Sequence, residues 1–154
     1  MAHIFELGVA KISFFYAHFS QKHFKLDINR MRKILINSSQ QCGRGNIMDI
    51  EICENFDKIC KKYAPFSVFD FGGDDIRNTL ESTIKPSDKK SKNMSLWRVM
   101  VGAEGGFSKD EKERLNQMLQ DGKIEIFSLK NNLILQSQSA CAFIASLAQI
   151  RIKY

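Results

Sequence analysis

Three glycines and one carboxylate fall within five residues, in the segment Gly-Ala-Glu-Gly-Gly from Gly102 to Gly106. Backbone without Cβ atoms lets a ligand approach closely, and its N–H groups can donate to that ligand. The pattern is not a Walker loop, since no Gly-Lys-Ser/Thr follows, and it is not the dinucleotide fingerprint G-x-G-x-x-G. The segment predicts a ligand-binding turn. The alternative is a glycine turn that only reverses the chain.

The residues on either side predict a strand before this turn and a helix after it. Residues 96–101 are large and branched, as is typical of a strand. Ser108 followed three residues later by Glu111 is a capping box, which marks the start of a helix. In an open α/β sheet, ligands bind at the carboxyl ends of the strands, which is where this turn would lie.

Length and composition indicate one domain with a sizeable core. The chain has 154 residues, of which 44% are hydrophobic and 26% are charged, as in soluble globular proteins. The sequence contains neither an apolar run of membrane-spanning length nor a signal-peptide pattern at its start. We therefore expect a cytoplasmic protein.

The cysteines and histidines predict neither a metal site nor a disulfide framework. No two cysteines form a C-x-x-C pair, so we expect reduced thiols that fill core space. The histidines have no second cluster of ligands with which to complete a metal site. These residues are Cys42, Cys53, Cys60 and Cys141, and His3, His18 and His23.

The net charge of +6 permits a polyanionic partner. Cations crowd the first third of the chain, with the rings of Phe19, His23 and Phe24 among them. Cations that reach phosphates, beside rings that stack on bases, suit single-stranded RNA. A solvated helix face explains the same charges equally well. The cations are Lys22, Lys25, Arg30, Arg32, Lys33 and Arg44.

Strand and helix patterns alternate along the chain, which predicts an α/β fold with a mainly parallel sheet. The predicted strands cover residues 11–16, 47–52, 66–71, 96–101 and 124–129. A first predicted helix ends near Gly8, and a second runs from Asp27 to near Gly43. Further helices are predicted at residues 55–63, 109–120 and 139–152. Turns are expected at residues 72–75 and 131–132, and a mobile loop at residues 85–93.

Four segments resemble, in order, motifs of the RsmE family, the ribosomal RNA small-subunit methyltransferases that modify a uridine at N3. Residues 6–9 resemble its Glu-Leu-Gly-Val, and residues 32–44 its Arg-x-x-x-Ile…Gln-Cys-Gly-Arg segment. Residues 101–108 resemble its Gly-Pro-Glu-Gly-Gly-Phe-Ser loop, and residues 133–140 its Ile-Leu-Arg-x-Glu-Thr-Ala loop. The resemblance covers nearly all of the chain, and the order of the motifs makes it specific.

The resemblance implies a SPOUT-type α/β trefoil knot, in which the C-terminal segment threads through a loop. Members of that superfamily bind S-adenosylmethionine in the knot and complete the active site across a homodimer. The substrate that this implies is small-subunit ribosomal RNA. Three loops would hold the cofactor: the one after residues 66–71, residues 102–107, and residues 128–138.

The same resemblance assigns roles to individual residues. Cofactor contacts are expected from Phe71, Val101, Gly102, Glu104, Gly105, Gly106, Leu129, Asn132, Ile134, Leu135 and Ser139. Glu104, Gln136 and Gln138 are the expected catalytic residues. RNA contacts are expected from Lys22, Lys25, Arg32, Gln41 and Arg44. Packing at a helix end is the alternative for Gln41 and Arg44, and a carboxylate that favours a helix N-terminus is the alternative for Glu104.

Several positions depart from the family pattern. Ala103 replaces a proline, and Ser139 keeps the hydroxyl of a threonine. Gln136 and Gln138 replace an arginine and a glutamate, so an ion pair becomes a neutral amide pair that either preserves the geometry or marks lost activity. We expect residues 1–154 to form a single methyltransferase domain without the family's N-terminal PUA-like barrel and first strand.

The leading hypothesis is an S-adenosylmethionine-dependent methyltransferase domain of the RsmE type. One alternative is a non-catalytic RNA-binding relic of that fold. Another is an α/β module that binds a different nucleotide-like ligand.

Overall fold

The structure is a computed structural model, and it describes residues 1–20, 25–77, 97–130 and 135–151. Within each of these ranges helices and strands alternate, as the sequence predicts. In chain order the elements are α1 (Ala2–Glu6), β1 (Lys11–Phe15), α2 (Ile28–Cys42), β2 (Asp49–Cys53), α3 (Phe56–Tyr63), β3 (Phe66–Asp75), β4 (Val99–Val101), α4 (Lys109–Gln120), β5 (Ile124–Ser128) and α5 (Ser137–Arg151).

Every strand pairing within the described ranges is parallel, which confirms the predicted α/β class. β1 pairs with β2, while β3 lies between β4 and β5. Val68 is the centre of this second sheet, where it is opposite Met100 on one side and Ile126 on the other. Because the strands run in one direction, their carboxyl ends share one edge, where the loops that follow them come together.

Helices cover both faces of the three-stranded sheet. On one face, Val68 packs in a core cluster with Ile59 of α3 and Leu115 of α4. On the other, Phe127 packs against Ile144 of α5. A third cluster, around Phe5, joins α1 and α2 to β1 and β2. Burial on both faces explains why the strands of this sheet are rich in large apolar residues.

Short-range hydrogen bonds start and end the helices where the sequence predicts. Asp27 accepts from the N–H of Arg30 at 2.9 Å, and Asn55 accepts from that of Lys58 at 2.9 Å. Gly43 ends α2 in the left-handed region, at φ +70°. Gly8, at φ +85°, lies one residue beyond the C-cap Leu7 rather than being the C-cap itself.

The prediction of a turn at residues 72–75 is wrong. β3 continues to Asp75, and both Phe69 and Asp74 are paired with Phe127, so the residues between them leave the ladder as an irregularity. Gly73 is buried within this excursion, and a Cβ there would overlap the backbone of Phe127. Two glycines and two aspartates are typical of a turn. Here the glycine instead permits a close approach of two strands.

The remaining differences concern element ends. β4 begins at Val99, and the preceding Trp97 lies in a turn with 80% of its surface exposed. β2 begins at Asp49 rather than residue 47, and α5 at Ser137 rather than residue 139. The predicted mobile loop and the turn at residues 131–132 lie outside the described ranges.

The cysteines only partly fill core space as predicted. Cys53 and Cys60 are buried as expected, whereas Cys42 is exposed at the end of α2. Burial raises the pKa of the Cys60 thiol to about 12. All four thiols are free.

Candidate active site

A pocket opens at the shared carboxyl edge of β3, β4 and β5. Its walls come from the β3 excursion, the glycine turn, the end of β5 and the first turn of α5. The lining residues are Phe69, Asp70, Phe71, Val101, Gly102, Ala103, Glu104, Gly106, Ser128, Leu129, Leu135, Ser137 and Ala140.

The glycine turn forms one wall of this pocket. The N–H of Gly106 donates to the carbonyl of Ala103 at 2.7 Å, which leaves Glu104 and Gly105 exposed at the tip. Gly106 has φ +71°, a conformation that glycine adopts at least cost. A Cβ at Gly102 would lie 3.2 Å from Cε2 of Phe107, so this position requires a close approach of ring to backbone.

The first turn of α5 is attached to the glycine turn by a residue that the sequence analysis missed. The Ser137 hydroxyl donates to the carbonyl of Gly102 at 2.6 Å. Ser137 and Ala140 are three residues apart and therefore lie on the same face of the helix, toward the pocket. The spacing of this pair is a signal in the sequence: in a helix that starts at residue 137, Ser137 and Ala140 fall on one face.

Gln136, Gln138 and Ser139 lie elsewhere. They line a second groove together with His3 and Ile4 of α1, and the described pocket walls do not include them. Successive residues of an α-helix are rotated by about 100° around its axis, so Ser137 can face the pocket while Gln138 and Ser139 face the groove. The catalytic roles of Gln136 and Gln138 and the cofactor contact of Ser139 therefore stay predictions, and the structure places these residues along the groove beside α1.

Gly105 is also directed away from the pocket. A Cβ there would lie 3.0 Å from Cβ of Phe19, in the loop after β1. The predicted contacts that do line the pocket are Phe71, Val101, Gly102, Glu104, Gly106, Leu129 and Leu135. Asn132 and Ile134 lie outside the described residues. Ala103, Ser128 and Ser137 lie within the predicted cofactor loops but were not named individually, whereas Phe69, Asp70 and Ala140 lie outside those loops.

The charge of the described pocket walls is negative. Asp70 and Glu104 are carboxylates, and the described lining contains no lysine, arginine or histidine. Outside the pocket lining, Arg77 forms an ion pair with the Asp75 carboxylate and donates to the Lys130 carbonyl at 3.2 Å. This guanidinium lowers the pKa of Asp75 and joins the end of β3 to the segment after β5. Two carboxylates, with no cation among the described lining residues, suit a ligand with positive charge.

Most of the predicted RNA contacts lie apart from the pocket. Lys25, Arg32 and Gln41 are exposed on or next to α2. Arg44 instead donates to the carbonyls of Phe5 and, at 3.1 Å, Val9. Its guanidinium lies 4.3 Å from the centre of the Phe5 ring. Arg44 therefore packs at the end of α2, which was the alternative to an RNA contact. Lys22 lies outside the described residues.

Two further classes of feature are not found within the described ranges. The ranges contain no group of three or more His, Cys, Asp or Glu side chains placed to hold a metal ion. No helix there is both long and apolar enough to cross a membrane.

The fold and pocket define an α/β domain with a ligand site at the carboxyl edge of a parallel sheet. The profile of the RNA methyltransferase domain matches residues 1–149, so this chain belongs to that family. The chain is 38% identical over 148 residues to ribosomal RNA small subunit methyltransferase E of Helicobacter pylori strain ATCC 700392 / 26695. A second Helicobacter pylori relative, from strain J99 / ATCC 700824, has the same identity.

The alignment covers 94% of this chain but only 57% of either relative, so the chain spans little more than half of their length. Solved structures share the fold. Ribosomal RNA small subunit methyltransferase E of Neisseria gonorrhoeae, bound to S-adenosyl methionine, matches with a TM-score of 0.69 at 17% identity. That match covers 97% of this chain and 60% of the other. A Legionella pneumophila methyltransferase in complex with S-adenosylmethionine matches with a TM-score of 0.64 at 21% identity, over 97% of this chain and 60% of the other.

Proposed function

We propose that this chain is an S-adenosylmethionine-dependent methyltransferase domain that modifies N3 of a uridine in small-subunit ribosomal RNA. The observation that carries the proposal is the pocket at the carboxyl edge of β3, β4 and β5, with its glycine turn and two carboxylates. Support comes from the family match and from two solved proteins of the same fold, each with bound S-adenosylmethionine.

The residues in this pocket fit the chemical groups of S-adenosylmethionine. Phe69, Leu129 and Leu135 offer apolar walls for the adenosine, and the backbone of the glycine turn offers polar groups. Asp70 and Glu104 would stabilise the positive sulfonium and the ammonium group. When bound, the cofactor supplies an electrophilic methyl group.

Glu104 is the residue best placed to act on the substrate. It lies at the exposed tip of the glycine turn and also borders the pocket. Uridine N3 bears a proton that must leave, so a hydrogen-bond acceptor near N3 lowers the barrier. We assign this acceptor role to the Glu104 carboxylate.

Small-subunit ribosomal RNA is the proposed substrate because the Helicobacter pylori relatives carry that specificity in their names. The exposed cations Lys25, Arg30 and Arg32 would contact its phosphates. Such a substrate would place the protein in the cytoplasm.

A homodimer is part of the proposal, as is the trefoil knot. The resemblance to the RsmE family suggests that α5 contributes to an interface between two copies of the chain. Light scattering at micromolar concentration should then give twice the mass of 17.7 kDa. A single-chain mass at that concentration would contradict the homodimer and the composite active site.

Calorimetry with S-adenosylmethionine and its demethylated product tests the cofactor site directly. We expect saturable binding of both. Asp70→Asn should weaken the binding of S-adenosylmethionine, because it removes the carboxylate that would face the positive sulfonium. The matched control is Glu113→Gln, which removes a carboxylate from an exposed position on α4. No binding at millimolar ligand would contradict the proposed function.

A methyl-transfer assay on small-subunit ribosomal RNA separates catalysis from binding. At saturating S-adenosylmethionine, Glu104→Gln should reduce transfer by about 100-fold, because general acid–base groups contribute on this scale. Cofactor or RNA binding without transfer by the unaltered chain would instead favour the non-catalytic relic.

A further inference from the structure

The loop after β1, residues 16–20, is held in one shape by its own hydrogen bonds. The N–H of Ala17 donates to the Ser20 hydroxyl at 3.0 Å, and the N–H of Ser20 donates to the Ala17 carbonyl at 3.0 Å. Ala17 is 1% exposed, so the base of the loop lies in the protein interior. We call this segment the Phe19 loop.

Glu111 attaches the Phe19 loop to the glycine turn and α4. One carboxylate oxygen accepts from the N–H of Ser108 at 2.8 Å, which completes the capping box. The other oxygen accepts from the N–H of His18 at 2.9 Å. Glu111 is only 8% exposed, and hydrogen bonds to a buried carboxylate are among the stronger ones.

Phe19 itself lies against the glycine turn with much of its ring free. Gly105 has no Cβ, which leaves room for the Phe19 side chain beside the turn. The His18 ring meets the Phe19 ring edge-on, at 87° and 5.0 Å between centroids. Phe19 nevertheless remains 54% exposed.

A large ring on a rigid loop gains nothing in folding from its exposed half, but it can bind a flat partner. Nucleobases of single-stranded RNA stack on aromatic side chains of this kind, with little dependence on which base is present. The ring contacts the turn next to Glu104, whose side chain borders the pocket. A base stacked on Phe19 would therefore lie beside the site where the methyl group is transferred.

We propose that Phe19 is the stacking platform for a nucleobase of the single-stranded RNA substrate, held in place by Glu111. The inference rests on the proposed function and adds a specific RNA-binding residue to it. Phe19 would position the RNA, while the pocket residues bind the cofactor.

The test compares Phe19→Ala and Phe19→Trp with the unaltered chain. Anisotropy of a labelled, short, uridine-rich single-stranded RNA gives the RNA affinity, and calorimetry gives the affinity for S-adenosylmethionine. The matched control is Trp97→Ala, which removes an aromatic ring that is 80% exposed at the amino end of β4, away from the pocket.

We expect Phe19→Ala to weaken RNA binding by at least about fivefold, the lower end of the range for loss of one base–ring stack. Phe19→Trp should retain the RNA affinity, and Trp97→Ala should leave it unchanged. The affinity of Phe19→Ala for S-adenosylmethionine should stay within about twofold, because Phe19 is not among the described residues that line the pocket. Equal losses of RNA and cofactor affinity would mean that Phe19 only supports the glycine turn, and would overturn the proposal.

A second RNA with one abasic site in place of the central uridine isolates stacking. The abasic site should weaken binding by the unaltered chain but have little further effect on Phe19→Ala, since the ring and the base form one interaction. Independent, additive losses would overturn the proposal, as would an unaltered chain that binds no RNA. RNA titrations with and without S-adenosylmethionine distinguish a failure of the Phe19 proposal from a failure of the proposed function. A chain that binds RNA through Phe19 but binds no cofactor would contradict the proposed function alone.

Discussion

Each glycine in the turn from Gly102 to Gly106 is required for a different reason. Gly102 accommodates the Phe107 ring, and Gly105 accommodates Phe19. Gly106 adopts a left-handed backbone conformation without any close neighbour for a Cβ. Substitutions at these positions should consequently affect packing, the Phe19 loop and backbone strain, respectively.

Gly106→Ala should lower the free energy of unfolding by about 1–2 kcal/mol, because an L side chain at positive φ is strained. Urea denaturation measures this quantity. Gly45→Ala is the matched control, since Gly45 has neither a positive φ nor an atom within 4 Å of its Cβ position. Equal destabilisation by both variants would contradict this explanation of the turn.

Glu51 is the centre of a charged cluster on β1 and β2. It forms hydrogen bonds with the side chains of Lys62, Tyr63 and Ser13, and Lys11 lies 2.9 Å from its carboxylate. The hydrogen bond from Lys62 is the largest of the effects that hold the pKa of Glu51 well below its usual range. The folded state therefore favours the ionised carboxylate.

Because the pKa is lower in the folded state, the contribution of Glu51 to stability is fully present above the unfolded-state pKa of about 4.3. It is lost as the pH falls toward the folded-state pKa. The difference in unfolding free energy between the unaltered chain and Glu51→Gln should thus be largest near neutral pH and shrink in acid. Glu54→Gln, which breaks an exposed pair with Lys58, should show little difference at any pH. A Glu51→Gln difference independent of pH would refute this assignment.

At the scale of elements, the excursion in β3 shapes one wall of the pocket. Residues 70–73 leave the ladder with β5, and Asp70 and Phe71 line the pocket from there. The Ser128 hydroxyl donates to the Gly73 carbonyl at 2.9 Å, so β5 holds the excursion in place. The wall therefore depends on contact between two strands.

Gly73→Ala should destabilise the protein by about 1–3 kcal/mol, since its methyl group would overlap the Phe127 backbone. Gly72→Ala is the matched control, because nothing lies within 4 Å of a Cβ there. Thermal or urea unfolding of the two variants makes the comparison. Similar stability for both would show that the β3–β5 contact is looser than the structure indicates.

At the scale of the whole molecule, a net charge of +6 favours association with a polyanion. The exposed cations on α2 are not among the lining residues of the negative pocket, so the proposed phosphate contacts and the proposed cofactor contacts would use different surfaces. The chain spans 57% of the length of its Helicobacter pylori relatives.

The RNA affinity of this chain should fall steeply with salt, and Lys25→Ala and Arg32→Ala should each reduce that dependence. For single strands, the slope of log K against log salt changes by about 0.7 for each phosphate contact that is lost. Anisotropy titrations at several salt concentrations measure it. Lys58→Ala, which removes an exposed cation on α3, is the control. Slopes that do not change would remove Lys25 and Arg32 from the RNA surface.

Much of the fold follows from chemistry between residues close in sequence. The N-caps Asp27, Asn55 and Ser108 each accept from an N–H three residues later. Apolar runs located β3 and β5, and the spacing of glycines and Glu104 located the pocket wall. Such features span a few residues and therefore leave a direct trace in the sequence.

Contacts between distant segments were decided only by the tertiary structure. Packing of α5 turns Ser137 toward the glycine turn and places Gln136 and Gln138 in the groove beside α1. Close approach of β5 converts an expected turn into the β3 excursion. The second hydrogen bond of Glu111, to His18, joins residues 93 positions apart. Sequence patterns report hydrogen bonds and periodicity along one element, whereas these contacts depend on which faces of separate elements meet.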